Sequence, residues 1–413
     1  MPESTETEVL VIGGGLAGQA VALALAGGAG GTPVDVVLVD AGDPARYATA
    51  AFDGRASALT ETSVNMLAAL KVWEALRPDA EPMREIRITD SRLGAQARPV
   101  LLHFGRELRP GRPSAFMVEN RHLHAAMYKQ LESCDRLTIR AETRPEHLAF
   151  ADGHVLAQLS DGSDIRCRLL VGADGRTSSV RSRAGIETVG WSYRQCGIVT
   201  TVIHERPHHG IAEEHFLPAG PFAILPLPGN RSSLVWTEAE TDARHIAALP
   251  DDRFTAELAR RFGAHLGRVE PTGPRHVFPL AVQIARDYVA PRVALVGDAA
   301  HVIHPIAGLG FNLGLRDAAA LAEVVGDGAR LGLDIGSLAV LDEYQSWRRF
   351  DSLLVALVTD GLNRLFSNDS AMLAAMRRLG LSAVDRATPL KRFFVDEAAG
   401  RDQRLPKLMH RPA

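Results

Sequence analysis

The sequence lacks the features of membrane-spanning, disulfide-bonded and nucleic-acid-binding proteins. It contains no run of about 18 uninterrupted apolar residues, the length that a helix needs to cross a bilayer. Its three cysteines, Cys134, Cys167 and Cys196, have neither the number nor the spacing of a disulfide framework or a zinc site. Lysine and arginine together number 46 against 49 aspartates and glutamates, so no basic field favours a nucleic acid. These absences predict a cytoplasmic protein, with contact to the cytoplasmic membrane face as a peripheral alternative.

The composition that remains is that of a packed globular chain. Apolar residues make up 46% and charged residues 23% of the 413 positions, proportions that exclude a disordered or collagenous protein. At roughly 100 to 200 residues per domain, this length predicts two or three structural units. The chain is therefore longer than a minimal binding module requires.

A glycine-rich turn stands between an apolar run and an Ala/Leu-rich helical stretch near the start of the chain. Gly13, Gly15 and Gly18 have the spacing GxGxxG, and a second apolar run, Val36–Val39, ends at Asp40, 22 residues after Gly18. Strand, tight turn, helix and second strand form a βαβ unit, so the sheet is predicted to begin with parallel strands. The pattern is the dinucleotide-binding fingerprint in the context that it requires.

Each glycine of the fingerprint has its own physical task. Gly13 permits the tight turn, Gly15 lets the backbone approach a diphosphate, and Gly18 allows the helix to pack closely against the strand. The helix N-terminus carries about half a positive charge and free N–H groups that hold phosphate. Asp40 is expected to accept hydrogen bonds from ribose hydroxyls and to repel a 2′-phosphate, which favours FAD or NAD over NADP.

Two further segments end near an aspartate where an apolar run meets a turn, namely residues 171–175 (VGADG) and 296–298 (VGD). Together with the glycine fingerprint they resemble the nucleotide-binding, DG and GD motifs of the FAD-dependent aromatic hydroxylases, the single-component flavin monooxygenases. Residues 304–317, HPIAGLGFNLGLRD, are similar to the HPxAGQGxNxGxxD signature of that family. The NLGLRD variant is typical of its ubiquinone-biosynthesis hydroxylase branch. The matches run from residue 9 to about residue 366.

The resemblance implies an α/β fold with a Rossmann-like FAD-binding domain of the p-hydroxybenzoate hydroxylase type. A mostly antiparallel β-sheet substrate domain interrupts this domain, and a helical C-terminal tail follows it. The expected boundaries are 1–85, 106–185 and 286–345 for the FAD-binding domain, 86–105 and 186–285 for the substrate domain, and 346–413 for the C-terminal helical region.

The resemblance also implies roles for individual residues. Asp298 is expected to accept a hydrogen bond from a ribityl hydroxyl, and Arg55 and Arg121 are expected to pair with diphosphate oxygens. Backbone N–H groups at Gly308 and Gly310 are expected at the edge of the flavin ring. The expected cofactor-binding residues are Gly13, Gly15, Leu16, Ala17, Gly18, Asp40, Arg55, Arg121, Asp174, Gly297, Asp298, Pro305, Gly308, Gly310, Phe311 and Asn312.

The implied activity is that of an FAD-dependent NAD(P)H aromatic-ring monooxygenase. Tightly but non-covalently bound FAD, reduced by NADH or NADPH, uses O2 to form a flavin C4a-hydroperoxide that hydroxylates a polyprenylated phenol on the way to ubiquinone. Because the sequence has a single dinucleotide fingerprint, the nicotinamide is expected to bind transiently. No residue is identified as a general base. Leu309 stands where the family usually has a glutamine beside the flavin, so the role of that amide is open.

Two other functions stay open at this level. A hydroxylase of a small soluble aromatic compound needs an arginine for the substrate carboxylate, and Arg194 and Arg231 are the candidates. The second alternative is a weakly active flavin-binding member of a quinone-synthesis complex. Such a scaffold retains FAD but shows no oxidation of NAD(P)H, which distinguishes it from an enzyme.

Apolar residues supply the predicted contacts with the substrate and the membrane. Phe222, Ile224, Leu225 and Leu227 are candidate walls of a pocket for the prenyl chain, with ordinary core packing as the alternative. At about 0.8 kcal/mol per buried CH2 group, two isoprene units contribute several kcal/mol of affinity. The helical stretch 353–379 mixes apolar runs with arginines and predicts peripheral contact with a membrane or with other quinone-biosynthesis proteins, with packing against its own domain as the alternative.

A group of histidines, His204, His208, His209 and His215, invites a metal-binding interpretation. No carboxylate stands beside them at a ligand spacing such as HExxH, and flavin oxygen chemistry requires no metal. These histidines are therefore interpreted as surface or hydrogen-bonded side chains, and no metal site is predicted.

Overall fold

The protein folds into two large sheets, one small sheet and the helices that cover them. The computed structural model describes residues 4–28, 30–49, 51–90, 100–104, 113–366 and 405–411. The helices, in chain order, are α1 (Leu16–Ala26), α2 (Pro44–Ala48), α3 (Glu61–Ala69), α4 (Trp73–Leu76), α5 (Asn120–Glu132), α6 (Ser179–Arg183), α7 (Glu240–Ala247), α8 (Asp251–Phe262), α9 (Gly310–Arg330) and α10 (Leu338–Phe366). The strands, in chain order, are β1 (Ser4–Ile12), β2 (Val36–Val39), β3 (Ala56–Thr60), β4 (Glu81–Met83), β5 (Glu85–Asp90), β6 (Val100–Phe104), β7 (Ala115–Glu119), β8 (Leu137–Arg140), β9 (Pro145–Ala151), β10 (His154–Leu159), β11 (Asp164–Gly172), β12 (Thr188–His204), β13 (Ile211–Leu217), β14 (Gly220–Leu227), β15 (Arg231–Ala239), β16 (Val269–Ala285), β17 (Val289–Ala290), β18 (Val293–Leu295) and β19 (His301–Val302).

The first large sheet has β1 near its centre. This strand pairs in parallel with β11 on one side and with β2 on the other, and β18 continues the parallel pairing beyond β11. The apolar run Val9–Ile12 is buried, as expected for a parallel strand that is covered on both faces. Parallel neighbours end at the same edge, so the turns that follow β1, β2, β11 and β18 meet there. These turns carry the glycine fingerprint, Asp40, Asp174 and Asp298.

Two long helices, α1 and α9, pack against each other beside this sheet. Every residue of α1 from Gly18 to Ala26 is buried, and α9 is buried over most of its length. The alanine-rich sequences of both helices allow this close approach, because small side chains keep the two backbones near each other. The sheet and this helical layer form one continuous hydrophobic core.

The second large sheet has the strand order β19-β16-β12-β15-β14-β13-β5-β6. Its neighbours are antiparallel except for β13 and β5, which pair in parallel. One face is covered by α7 and α8, which place Phe254 against Trp236 of β15. The other face meets the small sheet β3-β7-β4, where Met117 of β7 packs beside Leu227 of β14. This contact joins the second sheet to the small sheet.

The last described helix, α10, runs without interruption from Leu338 to Phe366 and packs at its start against α9. The hydroxyl of Tyr344 donates a hydrogen bond to the carbonyl of Leu295 at 2.7 Å, so this part of the helix is fixed to the end of β18 in the first sheet. The boundary expected between residues 345 and 346 falls inside α10, and the division into domains stays a prediction. The predicted helical stretch beyond residue 366 lies outside the described residues. Within the described ranges, no helix combines the length and the apolar character that crossing a bilayer requires.

Candidate functional site

The loop between β1 and α1 has a conformation that two of its glycines make possible. Gly13 has a φ of +110°, and a Cβ there would lie 2.4 Å from the carbonyl oxygen of Ala173. A Cβ on Gly18 would lie 1.7 Å from the carbonyl oxygen of Gly13, so packing requires glycine at both positions. Gly15 differs, because among the described residues no surrounding atom lies within 4 Å of a Cβ built there. Gly15 therefore borders space that a ligand can fill.

The N-termini of α1 and α9 lie close together at the carboxyl edge of the first sheet. Gly15 is the N-cap of α1 and brings no side chain to cap it, so the first N–H groups are available to another acceptor. A Cβ on Gly314, in the first turns of α9, would lie 3.5 Å from both Ala17 Cβ and Gly297 Cα. Gly310, the first residue of α9, is as open as Gly15 in the described structure. The positive ends of two helices thus favour a negatively charged ligand at this edge.

Asp40 binds the glycine loop from the end of β2. Its Oδ2 accepts a hydrogen bond from the N–H of Gly14 at 2.5 Å, and its Oδ1 accepts one from the N–H of Gly42 at 2.7 Å. The hydroxyl of Tyr47 donates to Oδ1 at 3.2 Å. An ionised carboxylate has about four acceptor positions, so Asp40 keeps capacity for a further donor while it holds the loop. Its binding to ribose hydroxyls stays a prediction.

Two more aspartates at this edge have carboxylate oxygens that no described residue contacts by a hydrogen bond. Oδ2 of Asp174 accepts hydrogen bonds from the N–H and the hydroxyl of Ser179 at 2.7 and 3.0 Å, but its Oδ1 is buried and unpartnered within the described residues. Asp298 accepts no hydrogen bond from any described residue and is accessible to solvent. Protein nevertheless surrounds it on most sides, and this desolvation raises the pKa of the Asp298 carboxyl. Both carboxyl groups can therefore accept a hydrogen bond from a bound ligand.

Behind the Gly297 turn lies a buried carboxylate, Asp317. Its Oδ2 accepts hydrogen bonds from the N–H of Gly297 at 3.0 Å and from Nε2 of His301 at 2.6 Å. Its Oδ1 accepts one from Nε of Arg348 at 2.8 Å. Burial by itself raises the pKa of Asp317, but the neighbouring His301 and Arg348 bring it below the ordinary value. Asp317 therefore fixes the turn that presents Asp298.

The loop formed by residues 303–310 leads into α9. The carbonyl of Pro305 accepts a hydrogen bond from the N–H of Gly308 at 2.9 Å, and Gly308 has a φ of +63°, a value that favours glycine. Leu309 packs into an apolar cluster that joins the loop to α10, and Phe311 packs against the main core. The side chain at position 309 thus anchors the loop through apolar contact.

Asn312 ties the 303–310 loop to β3 and the start of α3. Its Nδ2 donates to the carbonyls of Ala58 and Gly308 at 2.8 and 3.0 Å. Its Oδ1 accepts from the N–H of Thr60 at 3.0 Å and from the hydroxyl of Ser63 at 2.7 Å. These bonds use the full capacity of the amide. The side chain of Asn312 therefore positions the loop, and a contact of Asn312 with the cofactor stays a prediction.

The two arginines predicted to meet the diphosphate each have an acidic partner in the protein. Nε of Arg55 lies 2.6 Å from Oδ2 of Asp53. Arg121 lies 2.7 Å from Oε2 of the buried Glu119, whose other oxygen is 2.7 Å from Arg231. The structure thus places Arg121 in an ion-pair network, and diphosphate binding by Arg55 and Arg121 stays a prediction.

The open glycines, the paired helix N-termini and the unpartnered aspartate oxygens together fit a dinucleotide ligand. Residues 6–349 match the FAD-binding domain family. The chain belongs to this family. FAD is therefore the cofactor that the carboxyl edge of the first sheet is suited to hold, in agreement with the fingerprint.

Relatives within the FAD-binding family match nearly the whole chain. The chain is 49% identical over 393 residues to the ubiquinone hydroxylase UbiL of Rhodospirillum rubrum, covering 95% of this chain and 89% of that protein. It is 35% identical over 402 residues to the 3-demethoxyubiquinol 3-hydroxylase of Escherichia coli, covering 95% of this chain and 98% of that protein. It is 30% identical over 437 residues to the human mitochondrial ubiquinone biosynthesis monooxygenase COQ6, covering 94% and 92%. The predicted resemblance to the ubiquinone-biosynthesis branch is confirmed.

Solved structures of the FAD-dependent aromatic hydroxylase type have the same fold. The p-nitrophenol 4-monooxygenase PnpA of Pseudomonas putida superimposes with a TM-score of 0.79 at 20% identity, over 97% of this chain and 100% of that one. PqsL of P. aeruginosa gives 0.76 at 22% identity, over 91% and 99%. These similarities confirm the predicted fold class.

The predicted substrate pocket of this FAD-binding family member is corrected for two of its four residues. Side chains alternate along β14, so neighbouring residues point to opposite faces. Phe222 and Ile224 are buried against α7 and α8, on the face that is turned away from the FAD-binding domain. Leu225 and Leu227 lie on the other face, in a cluster that includes Ala58 of β3. The sequence run was apolar at every position, so it gave no sign of which face each residue takes.

Proposed function

We propose that the chain is an FAD-dependent monooxygenase that hydroxylates the aromatic ring of a polyprenylated phenol in ubiquinone biosynthesis. NADH or NADPH is the transient reductant and O2 supplies the oxygen atom. The observation that carries this proposal is the 49% identity to a ubiquinone hydroxylase over 95% of the chain. Proteins with 49% sequence identity commonly catalyse the same class of reaction. The carboxyl edge of the first sheet also has the open glycines, the helix N-termini and the aspartates that suit FAD.

In this proposal the two large sheets have separate tasks. The first sheet, together with α1 and α9, holds FAD. The second sheet covers the substrate on the face that carries Leu225 and Leu227. An apolar face suits a prenylated ring, since each buried CH2 group contributes about 0.8 kcal/mol.

The residues at the carboxyl edge bind and orient the cofactor. The N–H groups that follow Gly15 hold the diphosphate, and Asp298 accepts from the ribityl chain. N–H groups near Gly308 and Gly310 stabilise negative charge on the ring system. When bound, FAD supplies the electron transfer and the oxygen activation. Packing of the second sheet over the loop 303–310 excludes water from the reaction.

The alternative of a small, soluble aromatic acid as substrate finds less support. Such a substrate needs a cation for its carboxylate. Arg231 pairs with the buried Glu119 at 2.7 Å, and Arg194 is exposed in an irregular part of β12. Neither arginine is thus offered to a carboxylate on the apolar face.

Cells that lack the protein test the proposal directly. We expect ubiquinone to fall and a polyprenylated precursor that lacks one ring hydroxyl to accumulate, as identified by mass spectrometry. Expression of the wild-type chain should restore ubiquinone. Normal ubiquinone with no accumulated precursor would contradict the proposal, and so would the loss of ubiquinone without any prenylated intermediate.

We also propose that the protein reaches its bilayer-dissolved substrate by peripheral contact through α10. One stripe of this helix is apolar and exposed, with Phe350 72% and Leu357 56% accessible. The α10 apolar stripe consists of Phe350, Leu353, Leu354, Leu357, Val358 and Leu365. The formal charge of −3 gives no attraction to anionic lipid, so apolar insertion is the term that holds the protein at the interface.

A double substitution in the α10 apolar stripe tests this contact. The variant Phe350→Glu with Leu357→Glu should bind phosphatidylcholine–phosphatidylglycerol vesicles at least about tenfold more weakly than the wild type, because both side chains lose apolar burial. Flotation of the FAD-loaded protein measures the bound fraction. Leu331→Glu is the matched control, since Leu331 is 62% exposed on a different surface at the end of α9. Equal flotation of wild type and double variant would contradict the proposal.

A further inference from the structure

One acidic side chain of the second sheet lies on the face that is turned towards β3 and the loop that precedes α9. Glu214 stands in β13, opposite Ala223 of β14 and Ile88 of β5. Because side chains alternate along a strand, Ala212 and Phe216 share the face of Glu214. The contacts of these two neighbours therefore show what the carboxyl group meets.

Both neighbours pack against elements outside the second sheet. Phe216 forms a cluster with Ile306 of the loop that precedes α9. Ala212 lies in a cluster with Ala58 of β3. Glu214 lies between these two contacts, on the side where the proposed function places the aromatic ring. Its side chain is half-buried, with protein around the carboxyl group.

Among the described residues, no charged side chain is paired with Glu214. Among the described residues its carboxyl group has no hydrogen bond and no ion pair, and β3 and β14 contain no charged residue. Most titratable side chains of the neighbouring strands pair on the opposite face: Glu213 with His265, His215 with Thr89, and Arg87 with Glu85. The remaining titratable residue of β5, Asp90, stands opposite Phe216 at the end of the strand. The titratable side chain of the loop, His304, packs against the ring of Tyr193.

This environment disfavours a negative charge on Glu214. Burial raises the pKa of Glu214 to about 7. A carboxyl group in an enclosed apolar site is costly unless a ligand donates a hydrogen bond to it. A group that titrates near neutrality can both accept and return a proton at working pH.

We infer that Glu214 binds the phenolic hydroxyl of the substrate and takes its proton as the general base of the hydroxylation. The inference rests on the proposed function. The O–H bond of the phenol breaks, an O–H bond forms on the Glu214 carboxyl group, and the electron pair stays on the phenol oxygen. That oxygen then enriches the ring in electrons, which favours attack by an electrophilic oxygen. As the new C–O bond forms, the O–O bond of the oxygen donor breaks, and the ring carbon then loses its proton to the departing oxygen. The Glu214 carboxyl group returns the phenol proton to the oxygen of the product, so the carboxylate is restored.

Binding of 2-prenylphenol to the FAD-loaded protein tests this inference without turnover. An ionised carboxylate accepts the phenol O–H better than a neutral carboxyl group does, so affinity should rise about tenfold between pH 6 and pH 8. Equilibrium dialysis without a nicotinamide measures the dissociation constant at each pH. The methyl ether, 2-prenylanisole, has no O–H group and should bind with the same affinity at both values.

Variants of two adjacent carboxylates complete the test. Glu214→Gln should abolish the pH dependence of phenol binding and lower kcat at pH 8 at least about a hundredfold, with FAD content unchanged. Glu214→Asp should recover part of kcat. Glu213→Gln, on the opposite face, should keep the wild-type pH dependence.

The outcomes separate this inference from the proposed function. A wild type that hydroxylates prenylated phenol while Glu214→Gln keeps both the pH dependence and kcat overturns the role of Glu214 alone. Equal pH dependence for the phenol and its methyl ether overturns it as well. A wild type that binds neither compound and hydroxylates no prenylated phenol overturns the proposed function itself.

Discussion

Replacing Gly15 by valine is expected to give a folded protein that no longer retains FAD. Gly15 has φ −67° and ψ 175°, a conformation that any residue adopts, and no described atom lies within 4 Å of its Cβ position. The valine side chain therefore enters the space that the diphosphate needs. Overpacking of this kind costs about 1–3 kcal/mol, which corresponds to roughly five- to 150-fold weaker binding before lost hydrogen bonds are counted. Titration of the apoprotein with FAD measures the loss.

The contrast with Gly18 makes this result specific. A Cβ on Gly18 would lie 1.7 Å from the carbonyl oxygen of Gly13, so Gly18→Ala should prevent normal folding. Gly15→Val should keep the melting temperature of the wild-type apoprotein within a few degrees. A Gly15→Val protein that carries a full complement of FAD would show that the diphosphate lies elsewhere.

Asp317→Asn is expected to have the largest effect on stability. The carboxylate is fully buried and pairs with His301 and with Arg348, which is itself only 2% exposed. Breaking a buried ion pair from one side costs about 3–5 kcal/mol, because it leaves an uncompensated charge in the interior. The N–H of Gly297 also loses its carboxylate acceptor, so FAD binding should weaken. Urea unfolding of the apoprotein and FAD titration measure the two effects.

The pH dependence of this variant follows from the lowered pKa of Asp317. A depressed carboxyl pKa contributes stability above the unfolded value, near 3.9, and that contribution is lost as the pH falls through the folded value. The difference between wild type and variant should thus be full at pH 7 and shrink below about pH 4. Asp327→Asn is the control on the same helix, since its partly exposed pair with Lys407 contributes at most about 1 kcal/mol. Equal losses in both variants would contradict the role given to Asp317.

The carboxyl edge of the first sheet could be predicted because its chemistry constrains the backbone. Gly13 and Gly18 have no space for a Cβ, and such positions appear in a sequence as fixed glycine spacings. Aspartates that follow apolar runs reveal which strand ends carry polar groups. Parallel pairing brings those strand ends to one edge of the sheet. The motifs and their common position could therefore be predicted from short stretches of sequence.

Side-chain partners across long sequence distances could not be predicted in the same way. Asn312 is saturated by β3 and the start of α3, some 250 positions earlier in the chain, and no local pattern shows those bonds. Asp317 is part of the signature at residues 304–317, but its hydrogen bond with the N–H of Gly297 depends on how α9 packs. Glu214 is an ordinary acidic residue in the sequence. That it has no partner among the residues of known placement appears only when the strands are set beside each other.

The most direct measurement of the central claim is the origin of the oxygen atom in the product. Purified FAD-loaded protein is incubated with a prenylated phenol, NADH or NADPH, and 18O2, and the product is analysed by mass spectrometry. The account predicts a ring-hydroxylated phenol with one 18O atom, formed only when both FAD and the nicotinamide are present. Retained FAD without any hydroxylated product, or a product whose new oxygen comes from water, would contradict it.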